Sequence, residues 1–274
     1  MPSINTNVAA IKARSNLDRV QRDMDTSIAR LSSGKRITRA HDDAAGSAIA
    51  GRMESQIRGL TQQVRSAKDG QSLVDTQEGS MQEISSILQR MRELAVQAAN
   101  GSMVSADKDY LNTENIALIA EINAIAKNTK FNDTAVLTGT QFSFYTDIDV
   151  AGTAIQTVAA SLTTVALGVT IKAVSIGSAG RAVSASIDAL DTAINTVNSR
   201  RASLGAISNR FDHIVDNLTN VIANTESAKS RVEDADFAVE TTQLTRNTVL
   251  QQAATSMVAQ ANASKNSILA LIQG

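Results

Sequence analysis

The chain has no cysteine and no tryptophan, and only five phenylalanines and two tyrosines in 274 residues. Without cysteine there are no disulfides, thiolate metal sites or cysteine nucleophiles. The compartment stays open, because assembly can stabilise a secreted protein in place of covalent staples. The shortage of large rings argues against a thick globular interior. Apolar residues make up 43% of the chain, and Ala, Ile, Leu and Val dominate among them, which suits helix-on-helix seams. An excess of one charge is also missing. A formal net charge of −1 gives no electrostatic footing for nucleic acid or an anionic membrane, so neither is expected as a partner. The opening MPSINTNVAAIKARS has no apolar core of the kind a secretory signal carries, and no such signal is expected. One low-charge run, VAASLTTVALGVTIKAVSIG at 158–177, contains Lys172, several Ser and Thr and many β-branched residues. It reads as short strands rather than a membrane span.

What is present is helical periodicity. Ile4, Val8, Ile11, Leu17, Val20, Met24, Ile28 and Leu31 recur at three- and four-residue spacing and predict a first helix. It stops at Ser32-Ser33-Gly34, a helix-ending signal. A second helix is predicted from about 44 to 99, closing at Asn100-Gly101. At ~1.5 Å per residue it would be ~84 Å long, more than a compact domain needs. Gly51, Gly59, Gly70 and Gly79 lie inside it, each costing about 1 kcal/mol relative to Ala. Either the weakness is tolerated or a neighbour approaches closely there. A third helix covers about 106–128, with Asp107 and Asp109 where the helix dipole favours acids. From 129 to 180 β-branched residues and Gly become common, and Phe142 and Phe144 alternate with polar neighbours, which predicts hairpins. Helical spacing returns from Val183 to Val232, close to a 3.5 period.

The last predicted helix, about 236–272, is unusual. From Phe237 to Gly274 only Glu240, Arg246 and Lys265 are charged, three residues in 38. A lone helix draws most of its stability from packing, and this one has no full charged face to present to water. Its first expected partner is the N-terminal helix. Two such helices would still leave apolar surface wet, which points to other subunits.

The charged stretch RLSSGKRITRAHDDAAG at 30–46 is the natural place to look for chemistry. Gly34-Lys35 is not a phosphate loop: Ala29 stands where the motif needs Gly, and Arg36 where it needs Ser or Thr. Asp147-Ile148-Asp149 begins like a calcium loop, but fails at Ala151 and at Val158. His41-Asp42-Asp43 places three polar groups in succession, and consecutive residues rarely converge on one metal. The reading is a solvated turn or subunit contact, set against a metal or catalytic site at His41 or Asp147. Asp212-His213 reads as a surface pair. No catalytic residue, metal or cofactor is expected.

The same stretch, read with its neighbours, resembles bacterial flagellin. The motifs are INTN (4–7), RLSSGKRI (30–37), DDAAG (42–46), LQRMRELAVQAANG (88–101), KFND (130–133), LGAISNRF (204–211), SRVEDADFAVE (230–240) and VAQAN (258–262). They leave only about 138–180 uncovered. Three positions depart from the family's habits: Asp133 where Gly usually follows Phe-Asn, Ser208 where Gln is frequent, and Lys265 in place of a common Pro.

The resemblance implies a mainly α fold: a long coiled-coil-like helical bundle, a small β-hairpin region, and paired N- and C-terminal helices. It implies an inner filament-core domain of 1–42 and 235–274 and an outer helical-bundle domain of 43–234, joined near 34–43, with hairpins about 129–180. No large outer domain is expected. The core-assembly helices would act through Ile4, Val8, Ile11, Leu244, Val258, Ile268 and Leu271, and would order on assembly.

The implied function is a non-enzymatic subunit that polymerises with itself into the extracellular flagellar filament. The alternatives are a hook–filament junction protein of related fold, and an enzyme or metal protein. Implied partners are hook-associated and cap proteins, an export chaperone at the C-terminal helix, the flagellar type III export apparatus, and a host flagellin-sensing Toll-like receptor for the free monomer. The matching receptor-recognition and inter-subunit positions are Gln89, Arg90, Leu94 and Glu114. Arg90 and Leu94, four apart, would share one helix face.

Overall fold

The computed structural model describes residues 6–145, 154–157, 161–170, 174–176 and 183–273, with side chains described as far as 264. Among these described residues five helices carry the fold: α1 (Val8–Ser33), α2 (Ala44–Ala98), α3 (Ser105–Asn128), α4 (Val183–Glu233) and α5 (Phe237–Gln273). Among the described residues, four short strands lie between α3 and α4: β1 (Lys130–Phe131), β2 (Thr134–Ala135), β3 (Ser143–Tyr145) and β4 (Ala154–Gln156). The mainly helical reading holds, and the helix ends fall close to the predicted ones. The described residues form two units. One gathers the chain up to Ile57 together with Ala223 onward; the other is Arg58–Ile222.

In the first unit, α1 starts where the Asn7 side chain accepts a hydrogen bond from Ala10 N at 3.0 Å, an N-cap that satisfies an orphan donor. It ends at Gly34, whose φ of +70° is left-handed and whose N–H donates to Arg30 O. Only glycine takes that conformation without penalty. The turn that follows is organised by DDAAG. Asp42 Oδ2 accepts from Thr38 N, Thr38 Oγ1 and Arg39 N at 3.1, 2.9 and 3.0 Å. Asp43 Oδ1 then caps α2 by accepting from Gly46 N at 2.9 Å. A Cβ on Gly46 would lie 2.7 Å from Ile37 Cδ1, so a glycine there lets buried Ile37 close the turn. Beside it, Arg36 N donates to Glu233 O, and Ala235 N donates to Gly34 O. The two connectors, α1 to α2 and α4 to α5, are thus stitched together at Lys35 and Asp234.

The second unit holds the main core. Met81, Ile84, Leu88, Met91 and Ala95 on α2 face the same cluster as Ile119 and Ile122 on α3 and Leu190, Val197, Leu204 and Phe211 on α4. These positions repeat near 3.5 residues, the period of interlocking helices. Of the four glycines deeper in α2, Gly70 has close company: a Cβ there would sit 2.7 Å from Phe211 Cζ, whereas Gly51, Gly59 and Gly79 face open space. Phe211 in turn meets Phe144 edge to face, centroids 5.8 Å apart.

The first hairpin pairs Lys130 with Ala135 and Phe131 with Thr134. Its two-residue loop, Asn132 and Asp133, has φ of 48° and 62°, the double positive φ of a type I′ turn. The second pairs Ser143, Phe144 and Tyr145 with Gln156, Ile155 and Ala154, and Phe144 turns inward as its alternation predicts. The run at 158–177 differs from expectation. Its described residues form turns, with Ser161 alone bridged, to Thr138. Leu162, Val169, Val174 and Ile176 are buried, yet side chains of α3 hold much of this backbone. Asn123 Oδ1 accepts from Thr164 N at 3.1 Å, Asn112 Oδ1 accepts from Ile176 N at 3.2 Å, and Asn115 Nδ2 donates to Val174 O at 2.7 Å. Amide side chains take the place of a partner strand. Among the described residues no helix is long and apolar enough to cross a membrane.

Candidate assembly surface

The region with functional potential is the α1–α5 pair. Its more buried positions run Ala10, Ala13, Leu17, Val20, Met24, Ser27 and Leu31 on α1, and Glu240, Leu244, Asn247, Gln251, Ala254, Val258 and Ala261 on α5. Both series alternate steps of three and four, which lays a single stripe along each helix. Polar side chains set the register. Asn7 Nδ2 donates to Ala261 O at 3.0 Å, Gln251 Nε2 donates to Gln21 Oε1 at 2.6 Å, and Arg30 Nη1 donates to Glu240 Oε1 at 2.9 Å. Ascending positions on α1 meet descending ones on α5, so the helices run antiparallel. Glu240 is buried and Arg30 half-buried, which makes this an ion pair whose members depend on each other.

Outside that seam lies a second apolar surface. Val8, Ile11 and Ile28 on α1, and Phe237, Val239, Val249, Leu250 and Met257 on α5, are each between 45% and 62% exposed. The pair has closed its own interface and still shows water this much hydrocarbon. Exposed apolar side chains gathered on one helix pair, beside an α5 that carries only Glu240, Arg246 and Lys265 as charges, mark a binding face. The predicted assembly residues therefore divide. Val8 and Ile11 face outward, Leu244 and Val258 sit in the seam, and Ile4 and the side chains of Ile268 and Leu271 lie outside the described residues. The seam's polar set was missed by an apolar-period reading. Its one sequence signal is Glu240, an acid in a nearly uncharged helix.

The second predicted site is on α2 and α3. Gln89 and Arg90 are exposed. Arg90 reaches Glu114 Oε1 through Nη2 at 2.9 Å and Glu93 Oε2 through Nη1 at 3.3 Å. Its hydrogen bond to Glu114, and next that to Glu93, hold its pKa above the ordinary arginine value. Arg92 similarly meets Asp191 at 2.6 Å. Leu94 does not share this surface: it is 1% exposed, within the core. Its neighbours Met91 and Ala95 belong to the buried stripe, and Leu94 turns in with them. The structure thus brings Gln89, Arg90 and Glu114 to the surface and places Leu94 beneath.

The charged turn offers no reaction centre. His41 has a side chain 72% exposed, with Nε2 3.0 Å from Asp42 Oδ1. Asp42 is held below the ordinary carboxylate value, first by the Thr38 hydroxyl and then by the Arg39 N–H. Among the described residues no cluster of three or more His, Cys, Asp or Glu could hold a metal. Asp147 and Asp149 lie outside the described residues. Asp212 and His213 are both exposed, and Asp212 accepts a hydrogen bond from Gln71.

Comparison with known proteins agrees with this architecture. Residues 4–142 match the bacterial flagellin N-terminal helical region, and residues 187–272 match the bacterial flagellin C-terminal helical region. A flagellin of Halalkalibacterium halodurans is 40% identical over 272 residues, covering 98% of this chain and 99% of that protein. Flagellin FlaB2 of Treponema pallidum is 36% identical over 284 residues, covering 98% and 99%. A solved structure from Vibrio parahaemolyticus, described as flagellar hook-associated, aligns with a TM-score of 0.62 at 14% identity. It covers 70% of this chain and 100% of that one, a likeness of fold alone. With both helical regions matched in order and the relatives aligned end to end, the chain belongs to the bacterial flagellin family.

Proposed function

We propose that the chain polymerises with copies of itself into the flagellar filament through the outer faces of α1 and α5. It is a structural protein of the filament that drives swimming, not an enzyme. One observation carries the assembly route: the α1–α5 pair closes its seam and still exposes Val8, Ile11, Val249, Leu250 and Met257. In a polymer those side chains find the cover that one chain lacks. Residues 1–42 and 235–274 then form the inner core of the filament, and 43–234 the outer helical bundle. The tails order fully only on assembly. The subunit travels through the flagellar type III export apparatus to the extracellular filament, with a chaperone shielding α5 beforehand. Hook-associated and cap proteins bound the polymer at its ends. In the free monomer, Gln89, Arg90 and Glu114 form the exposed part of a face recognised by a flagellin-sensing Toll-like receptor, with Leu94 supporting it from below.

Purified chain added to short filament seeds tests this reading. Full-length protein should elongate them. Removal of 236–274, or the pair Val249→Ser and Leu250→Ser, should stop growth. Normal filaments from either variant would defeat the proposal.

A further inference from the structure

Methionine is the only sulfur-bearing residue type in this chain, which has seven methionines and no cysteine. Two of them, Met81 and Met91, are fully buried in the core. Met24, Met53 and Met103 are half-buried. Met257 differs: it is 62% exposed. It also stands on the outer stripe of α5, seven residues beyond Leu250 and on the same helical face. Exposure governs how fast a thioether is oxidised, and the sulfoxide product is polar and disrupts the interfaces that methionine fills. Accessible sulfur and a surface destined for burial therefore coincide at one residue.

We propose that Met257 is an oxidation site that makes the free subunit, but not the finished filament, sensitive to peroxides. The inference rests on the assembly face proposed above. The thioether sulfur gives an electron pair to the peroxide's outer oxygen and forms an S–O bond as the O–O bond breaks. Sulfur is oxidised by two electrons, and the peroxide is reduced to water. The resulting dipole carries a strong acceptor into a contact built from Val249, Leu250 and their counterparts. Burying that acceptor without a donor opposes docking. In the polymer the same sulfur is covered, so the reaction is confined to subunits that have not yet assembled.

Monomer and preformed filament are treated with hydrogen peroxide, and oxidation at each methionine is read by peptide mass spectrometry. Growth of the treated monomer on untreated seeds is then measured. Met257 in the monomer should oxidise about tenfold faster than Met81 or Met91, and about tenfold faster than Met257 in filaments. Oxidised monomer should elongate seeds about tenfold or more slowly. A methionine sulfoxide reductase should restore growth. Met257→Leu should elongate normally and resist peroxide, and Met257→Gln should grow poorly without it. If treated Met257→Leu loses growth as wild type does, or if fully oxidised Met257 leaves growth unchanged, the inference is overturned. If Val249→Ser with Leu250→Ser still blocks growth in that case, the assembly face stands and only the oxidation site falls. If that pair too grows normally, the assembly face itself is wrong.

Discussion

Two glycines on the same helix should respond to the same substitution with opposite signs. Alanine in a helix interior is favoured over glycine by about 1 kcal/mol. At Gly79 nothing stands within 4 Å of an added Cβ, so Gly79→Ala should gain close to the full amount. At Gly70 the added Cβ would lie 2.7, 3.0 and 3.2 Å from three ring carbons of Phe211. An ordinary contact needs 3.4 Å or more, so the ring must retreat by several tenths of an ångström. It has little room, being fully buried and set edge to face with Phe144. Overpacking of this kind costs about 1–3 kcal/mol. Set against the helical gain, Gly70→Ala should lose about 1 kcal/mol net. The two variants then differ by about 2 kcal/mol in unfolding free energy, readable by urea titration of the full chain followed by far-UV circular dichroism. Repeating Gly70→Ala in a Phe211→Leu background should remove the penalty, because the offending ring carbons are gone. Equal stabilisation at both glycines would show that Phe211 is free to move and that the close approach exerts no constraint.

Other outcomes follow from single sites. Asp133→Gly should stabilise by about 0.5–1 kcal/mol, since a side chain at φ of 62° bears a left-handed penalty that glycine escapes; a thermal melt decides it, and a lower Tm counts against the turn. Glu240→Ala should leave Arg30 half-buried without its partner and weaken the α1–α5 pairing by about 2 kcal/mol, seen as faster amide exchange in both helices, while unchanged exchange would refute the pairing. The turn at 38–42 should depend on acid. Asp42 has its folded pKa lowered from 3.8, so its stabilisation is complete above that value and lost as pH falls through the lower folded one. Protection of the Thr38 and Arg39 amides, taken against their intrinsic exchange rates, should therefore fall only below about pH 4, and Asp42→Ala should show the low protection at neutral pH. Protection that stays constant with pH would detach Asp42 from the turn.

Much of the fold was legible because its causes are local. Gly34 stops α1 where a left-handed residue was needed, and the apolar period along α2 and α4 names the faces that meet in the core. The type I′ turn at Asn132-Asp133 was visible only as a departure from habit, since its geometry depends on two successive positive φ values. What stayed hidden was set by distant partners. The run at 158–177 has strand-like composition, yet its backbone is tied to Asn112, Asn115 and Asn123 on α3, contacts that span 41 to 64 residues of sequence. Spacing alone pairs Leu94 with Arg90. The buried period of Ile84, Leu88, Met91 and Ala95 runs beside it and carries Leu94 toward the interior. In the α1–α5 pair, small and amide residues fill both the sealed and the open sides, so only coordinates could separate seam from outer face.

The stitched connectors have a mechanical meaning. The chain leaves α1 through Lys35 and enters α5 through Asp234, side by side and joined by main-chain hydrogen bonds. A single extended strand at such a place would swivel freely about its own axis. Two antiparallel connectors fastened to each other at one bridge resist twisting, because turning one must drag or tear the other. A load arriving along either helix is shared by both crossings at once, as suits a part that works by being spun.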